Sequence, residues 1–186
     1  MSTNLTGIPR ETCKGAGGLL NVYITEFSNI SDVSVSNGVA SFSSDAGVWK
    51  KYVLGKESGS EFTSTGSADV AAGTKPIYEN TLTMIFKRNQ VSKRNELAVM
   101  GECELVAVIS DNDFQTGATN GNLYIIGLEN GVDAGGADVT APVLSTGTQL
   151  GESNTMTIVI RALEAHPPYA IDTTTYTNIV EGNAVV

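Results

Sequence analysis

The chain has 186 residues, 41% of them hydrophobic and 17% charged, and a formal net charge of −9. That composition supplies one buried core, excludes a disordered chain, offers no run of about 18 apolar residues to span a bilayer, and is too acidic to grip nucleic-acid phosphates over a broad surface. The charge is also uneven: residues 1–94 carry ten Lys and Arg against eight Asp and Glu, whereas residues 95–186 carry twelve acids and one base, Arg161. Such a split suits a molecule whose acidic surface repels something while a basic one meets a partner.

Residues 1–18 bear Gly, Thr and Pro without pattern and read as an extended N-terminal arm, with no apolar signal-peptide core. Leu20–Glu26 alternates Val22 and Ile24 with Tyr23 and Thr25, which predicts a strand. In Val33–Phe42, alternating Val and Ser flank Asn37-Gly38, a pair that readily takes the positive φ of a type I′ turn. A hairpin with one apolar and one hydroxyl face follows. Trp49–Lys56 reads as a strand with Trp49 in the core, and Glu57–Val70 as a hydroxyl-rich strand anchored by Phe62. After a turn at Asp69–Lys75, Pro76 limits where pairing can begin, and Ile77–Lys87 is a strong strand with both faces partly covered.

Val91–Gly101 is the one good helix. Gln90, Arg94, Leu97 and Ala98 set its period, Ser92 lies near the N-cap, and Gly101 suits a left-handed stop. Glu104–Ser110 is a buried strand that ends in a turn at Asp111-Asn112-Asp113, and Asn122–Leu128 returns antiparallel to it. Gly117–Gly121 and residues 129–150 read as long loops, Asn154–Leu163 as the last core strand, and residues 167–186 as an extended C-terminal tail. The sum is eight or nine strands in residues 19–166, without internal repeat: an antiparallel β-sandwich or flattened barrel with one short flanking α-helix.

Catalytic chemistry finds little material. His166 is the single histidine and precedes Pro167-Pro168, and neither cysteine nor any serine sits in a nucleophile-elbow pattern. Cys13 and Cys103 are far apart, form no CxxC, and suit free thiols in a reducing compartment. Two Cys and one His are too few for a closed zinc site. Asp111-x-Asp113 fails as a calcium loop because Thr116 stands where Gly is needed and Asn122 where Glu is needed. Gly15-Ala16-Gly17-Gly18 lacks the Lys-Ser/Thr of a phosphate loop. An enzyme is therefore not expected, nor is a cofactor.

Two charged groups stand out. Lys87, Arg88, Lys93 and Arg94 place four bases within eight residues, either as solvated charge at the helix entry or as an edge that ion-pairs with the acidic half of an adjacent copy. Glu102 and Glu104 would share one face of a strand as an i, i+2 pair and read as an acidic ridge, whereas Asp111-x-Asp113 reads as an Asx turn.

Asn4-Leu5-Thr6-Gly7-Ile8-Pro9-Arg10 and Asn21-Val22-Tyr23-Ile24 resemble segments of virion proteins from phages of Bacteroidetes, crAss-like phages included. So do Phe62-Thr63-Ser64-Thr65, Lys93-Arg94-Asn95-Glu96-Leu97-Ala98, Val106-Ala107-Val108-Ile109, Tyr124-Ile125-Ile126-Gly127-Leu128 and Pro167-Pro168-Tyr169. Each motif is short and structural, and none is catalytic. The resemblance implies a tail-tube or tail-ring protein: homo-oligomeric rings, hexameric by expectation, stacked with other tail proteins around a channel that genomic DNA traverses without specific binding. It implies a virion protein made in the bacterial host cytoplasm. Lys87, Arg88, Lys93 and Arg94 become candidate inter-subunit contacts, and Glu102, Glu104, Asp111 and Asp113 candidate lumen-facing acids. The alternatives are a ring or connector of a short tail with the same fold, and a carbohydrate-binding β-sandwich, which an aromatic platform would mark.

Overall fold

The computed structural model describes residues 18–44, 47–54, 59–68, 75–87, 91–111, 123–128, 136–146 and 154–182. Over the described residues the fold is mainly β, a sandwich of two sheets with two α-helices. The first half of the chain forms strands β1 (Leu19–Glu26), β2 (Ile30–Ser36), β3 (Val39–Ser44), β4 (Lys50–Val53), β5 (Glu61–Ser67) and β6 (Ile77–Lys87). Helix α1 (Val91–Met100) leads to β7 (Leu105–Asp111) and β8 (Leu123–Ile126), then to β9 (Asp138–Val139), β10 (Val143–Ser145), β11 (Thr155–Glu164), β12 (Tyr169–Ile171) and helix α2 (Thr173–Gly182). One sheet has seven strands in the order β2-β3-β12-β8-β7-β1-β4; the other runs β10-β11-β6-β5, with β9 also paired to β11.

Between the sheets lies the main core. The ten-residue antiparallel ladder from Thr155–Lys87 to Glu164–Tyr78 sets its frame. Alternation on that ladder aims Leu82, Met84, Met156, Ile158 and Ile160 inward against Val22, Ile24, Ala107 and Ile109. Burying each such aliphatic side chain contributes roughly 1.5–3 kcal/mol. The opposite face of the seven-stranded sheet is also apolar: Tyr23, Val106, Val108, Leu123, Ile125 and Ile171 pack beneath Ile179 of α2. Covered on both sides, β7 has six consecutive buried residues, Leu105 to Ser110.

The Asn37-Gly38 turn forms as expected, with φ of 52° and 78°. Ser34 and Ser41 meet across the hairpin at 2.9 Å on its hydroxyl face. Strand β6 spans Ile77–Lys87, as its alternation required. Trp49 is buried, and its Nε1 donates to Ser44 Oγ at 2.9 Å.

Several expectations need correction. Among the described residues there are twelve strands rather than eight or nine, and β12 pairs parallel with β3, so the seven-stranded sheet is mixed. The described part of the tail, to residue 182, is not extended: β12 joins the β2–β3 hairpin to β8, and α2 caps the outer core. The Thr-rich sequence becomes helical because Asp172 Oδ2 accepts the N–H groups of Thr174 and Thr175 at 3.0 and 3.2 Å, while Thr175 and Ile179 turn inward one helical turn apart. Within the stretch read as a loop, β9 and β10 pair with β11. On α1 the inward stripe is Lys93, Leu97 and Met100; of the residues expected to set the period, Leu97 lies on it, Arg94 and Ala98 are exposed, and Gln90 lies outside the described residues. Gly101 has no positive φ; its N–H bonds Leu97 O at 3.1 Å, and the Glu102 N–H bonds Val99 O at 3.1 Å, so the last turn tightens instead.

Candidate functional site

The basic cluster divides on folding. Lys87 closes β6, while Arg88 lies outside the described residues. Lys93 folds back over the strand end: its Nζ donates to the Lys87 carbonyl at 2.7 Å and stands 5.9 Å from the Phe86 ring centroid. That geometry satisfies a terminal strand carbonyl and adds a cation–π contact. Arg94 points from the exposed side of α1, and among the described residues it takes part in no ion pair. The helix itself is pinned to the edge strand β4, where Tyr52 donates to Glu96 Oε1 at 2.6 Å. Burial, and then the Glu96 carboxylate, push the Tyr52 hydroxyl far above its ordinary range, so it stays a donor. Lys51, Tyr52, Phe86, Lys93, Glu96 and Met156 line a groove of about 320 Å³ here.

Behind α1 lies a smaller cleft of about 200 Å³, reached by Thr25, Glu26, Asn29, Lys50 and Cys103. Cys103 is a free thiol, and burial followed by the nearby Glu26 carboxylate raises its pKa. A raised thiol pKa lowers the thiolate fraction and disfavours nucleophilic chemistry. Cys13 lies outside the described residues.

The candidate acids lie apart. Glu102 and Glu104 sit in the turn between α1 and β7, not on a strand, and the Glu104 carbonyl accepts the Phe27 N–H at 2.9 Å. Asp111 ends β7 at its far end, roughly 20 Å away at the usual rise per strand residue. Asp113 lies outside the described residues. The charge split along the chain is likewise not a split in space, because both sheets mix strands from both halves. Arg161, the lone base of the second half, pairs with Glu79 of the first at 2.7 Å.

Two features escaped the sequence. At the Asp111 end, Ser60, Glu61, Phe62, Ser64, Asp111 and Tyr124 line a cavity of about 410 Å³. The Phe62 and Tyr124 rings stand 5.5 Å apart, tilted by 32°. Burial and then the Asp111 charge raise the Tyr124 pKa, keeping the phenol neutral beside the carboxylate. Nothing local in the sequence links β5 to β8, so this cavity had no signal there. The second feature is Glu164, a buried carboxylate that accepts from Asn80 Nδ2 and, at 2.8 Å, from the Gly127 N–H. It ties the five-stranded sheet to the turn after β8. Its signal was present, since the period-2 series Met156, Ile158, Ile160, Ala162 continues inward to Glu164. Gly127 has φ +86°, and a Cβ there would fall 2.4 Å from Leu105 O, so only glycine fits the close approach.

His166 is exposed, with its ring 5.9 Å from that of Tyr169. Among the described residues no three His, Cys, Asp or Glu side chains are grouped to hold a metal ion, and no helix is long and apolar enough to cross a membrane. No protein-family model, curated protein or solved structure shows significant similarity to the chain. The described surface presents aromatic, carboxylate and cationic groups and the sheet edges β5 and β10.

Proposed function

We propose that this chain is a structural virion subunit that assembles into homo-oligomeric rings stacked as a phage tail tube, a conduit for DNA. The observation that carries the reading is the pair of edges on the five-stranded sheet. Among the described residues β5 and β10 are its terminal strands. Strand β10 exposes Val143 by 54% and Leu144 by 49%, an apolar edge with no guarding charge within the strand. Such an edge is a pairing template and a liability when left open.

Three successive antiparallel pairings make β10 and β5 antiparallel to each other. A β5-to-β10 junction between copies would therefore continue the sheet in the same sense. Because the joined edges differ, the contact is head-to-tail, and a closing rotation converts the sheet into a barrel. The formal charge of −9 supports passage of DNA without adhesion, since like charge opposes phosphate contact.

Electron microscopy of the purified chain tests this: rings or tubes of uniform diameter are expected, and a strict monomer at high concentration overturns it. Leu144→Glu places a charge on the β10 edge and is expected to abolish rings while leaving the monomer's thermal transition in place.

A further inference from the structure

The aromatic-walled cavity beside β5 and the exposed guanidinium on α1 lie on opposite flanks of the subunit. Phe62 belongs to the edge strand β5, and Tyr124 and Asp111 face it from β8 and β7, while Glu61 precedes it on the outer face of β5 at the cavity rim. Helix α1 covers the other flank, where Phe86 and Met156 line the groove beneath it and Leu144 of β10 pairs with Met156. Both features sit at the same end of the sandwich. Glu61 and Ser60 lie toward the Lys87 end of β6, since Ser60 Oγ accepts the Ile85 N–H at 2.9 Å, and Lys93 caps that same strand end.

We propose that this cavity receives the Arg94 side chain of a second copy, as the polar lock of a head-to-tail ring contact. The inference rests on the ring reading and names the partner surface within it. The cavity offers what a guanidinium requires: the Asp111 carboxylate for a charge-assisted hydrogen bond and the rings of Phe62 and Tyr124 for stacking, with Glu61 adding a second negative charge at its rim. Arg94 offers the complement, being exposed and in no ion pair among the described residues. Pairing β5 of one copy with β10 of the next brings the second copy's α1 flank alongside the first copy's cavity, with both at the same height. Donor and acceptor occupy different flanks, so the contact cannot be satisfied reciprocally in a two-fold dimer and propagates around a ring.

A charge exchange tests the contact in the full chain, read by sedimentation as the concentration needed for assembly. Arg94→Glu and Glu61→Lys alone should each raise that concentration by about tenfold or more, and the double variant should restore it to within about threefold. Both positions are exposed, and unchanged thermal transitions of the monomers will confirm that folding is intact. Arg94→Lys, which keeps the charge and loses the planar stack, should fall between wild type and Arg94→Glu. Single variants that assemble like wild type, or a double variant no better than either single, overturn the contact while leaving the ring reading standing. A wild-type chain that stays monomeric overturns both.

Discussion

The centre of the seven-stranded sheet is buried on both faces, but by different means. On one side the long strands β6 and β11 lay down a continuous apolar layer whose members are held by a ten-residue ladder. On the other, the ten-residue helix α2 covers Tyr23, Val108 and Ile125. The first layer is fixed by dozens of backbone and side-chain constraints acting together. The second depends on one helix of modest propensity, TTTYTNIVEG, which would be marginal by itself and exists because Ile179 and Thr175 find a surface to bury against. Two faces of one sheet can thus have the same burial and different tolerance to change.

Matched truncations should expose that difference most. Ile160→Ala and Ile179→Ala remove the same side chain from fully or nearly fully buried positions. Ile160 is hemmed in by paired strands and should cost close to the upper end of the roughly 2–5 kcal/mol range for such changes, whereas α2 can settle onto the sheet and Ile179 should cost near the lower end. Denaturant unfolding gives both values, and equal costs would show that α2 is as rigid as the inter-sheet core.

A smaller effect is expected at Asp172, whose carboxylate caps α2. Asp172→Ala should cost about 1 kcal/mol and raise hydrogen exchange in α2 while leaving β6 and β11 protected. Uniform acceleration over both layers would mean that they unfold as one unit.

The mildest probe is alkali. Tyr23, in the helix-covered layer, has its pKa raised by burial and then by Tyr176; Tyr52, at the rim of the inter-sheet core, by burial and then by Glu96. A phenol whose folded pKa lies above its unfolded value of about 10 contributes stability that is complete below that pH and is lost as pH rises beyond it. Stability should therefore stay level from neutrality on account of these groups and decline only above about pH 10. Tyr23→Phe should remove part of the decline, and a decline unaffected by that change would detach Tyr23 from the effect.

Local rules read most of the first layer from the chain. Alternation in Ile77–Lys87 and Thr155–Glu164 needs only the two-residue period of a strand, and Asn37-Gly38 needs only its own backbone preference. The second layer was missed because Thr and Val favour strands, although Asp172 followed by Tyr176, Ile179 and Val180 carried a cap and a helical spacing. Strands β9 and β10 were missed because two or three residues have no period to read. The candidate acids illustrate the limit differently: Glu102 and Glu104 fell one turn short of the strand that would have aligned them.

By itself the sequence determined a mainly β sandwich, the Asn37-Gly38 hairpin, α1 and the strands that frame the core, since each follows from forces acting within a few residues. Tertiary structure alone decided that the two halves of an electrically divided chain interleave, that Phe62 and Tyr124 face one cavity with Asp111, and that α2 forms at all. Those outcomes depend on strand order and on which surface is left to cover, and neither is encoded in any short window of residues.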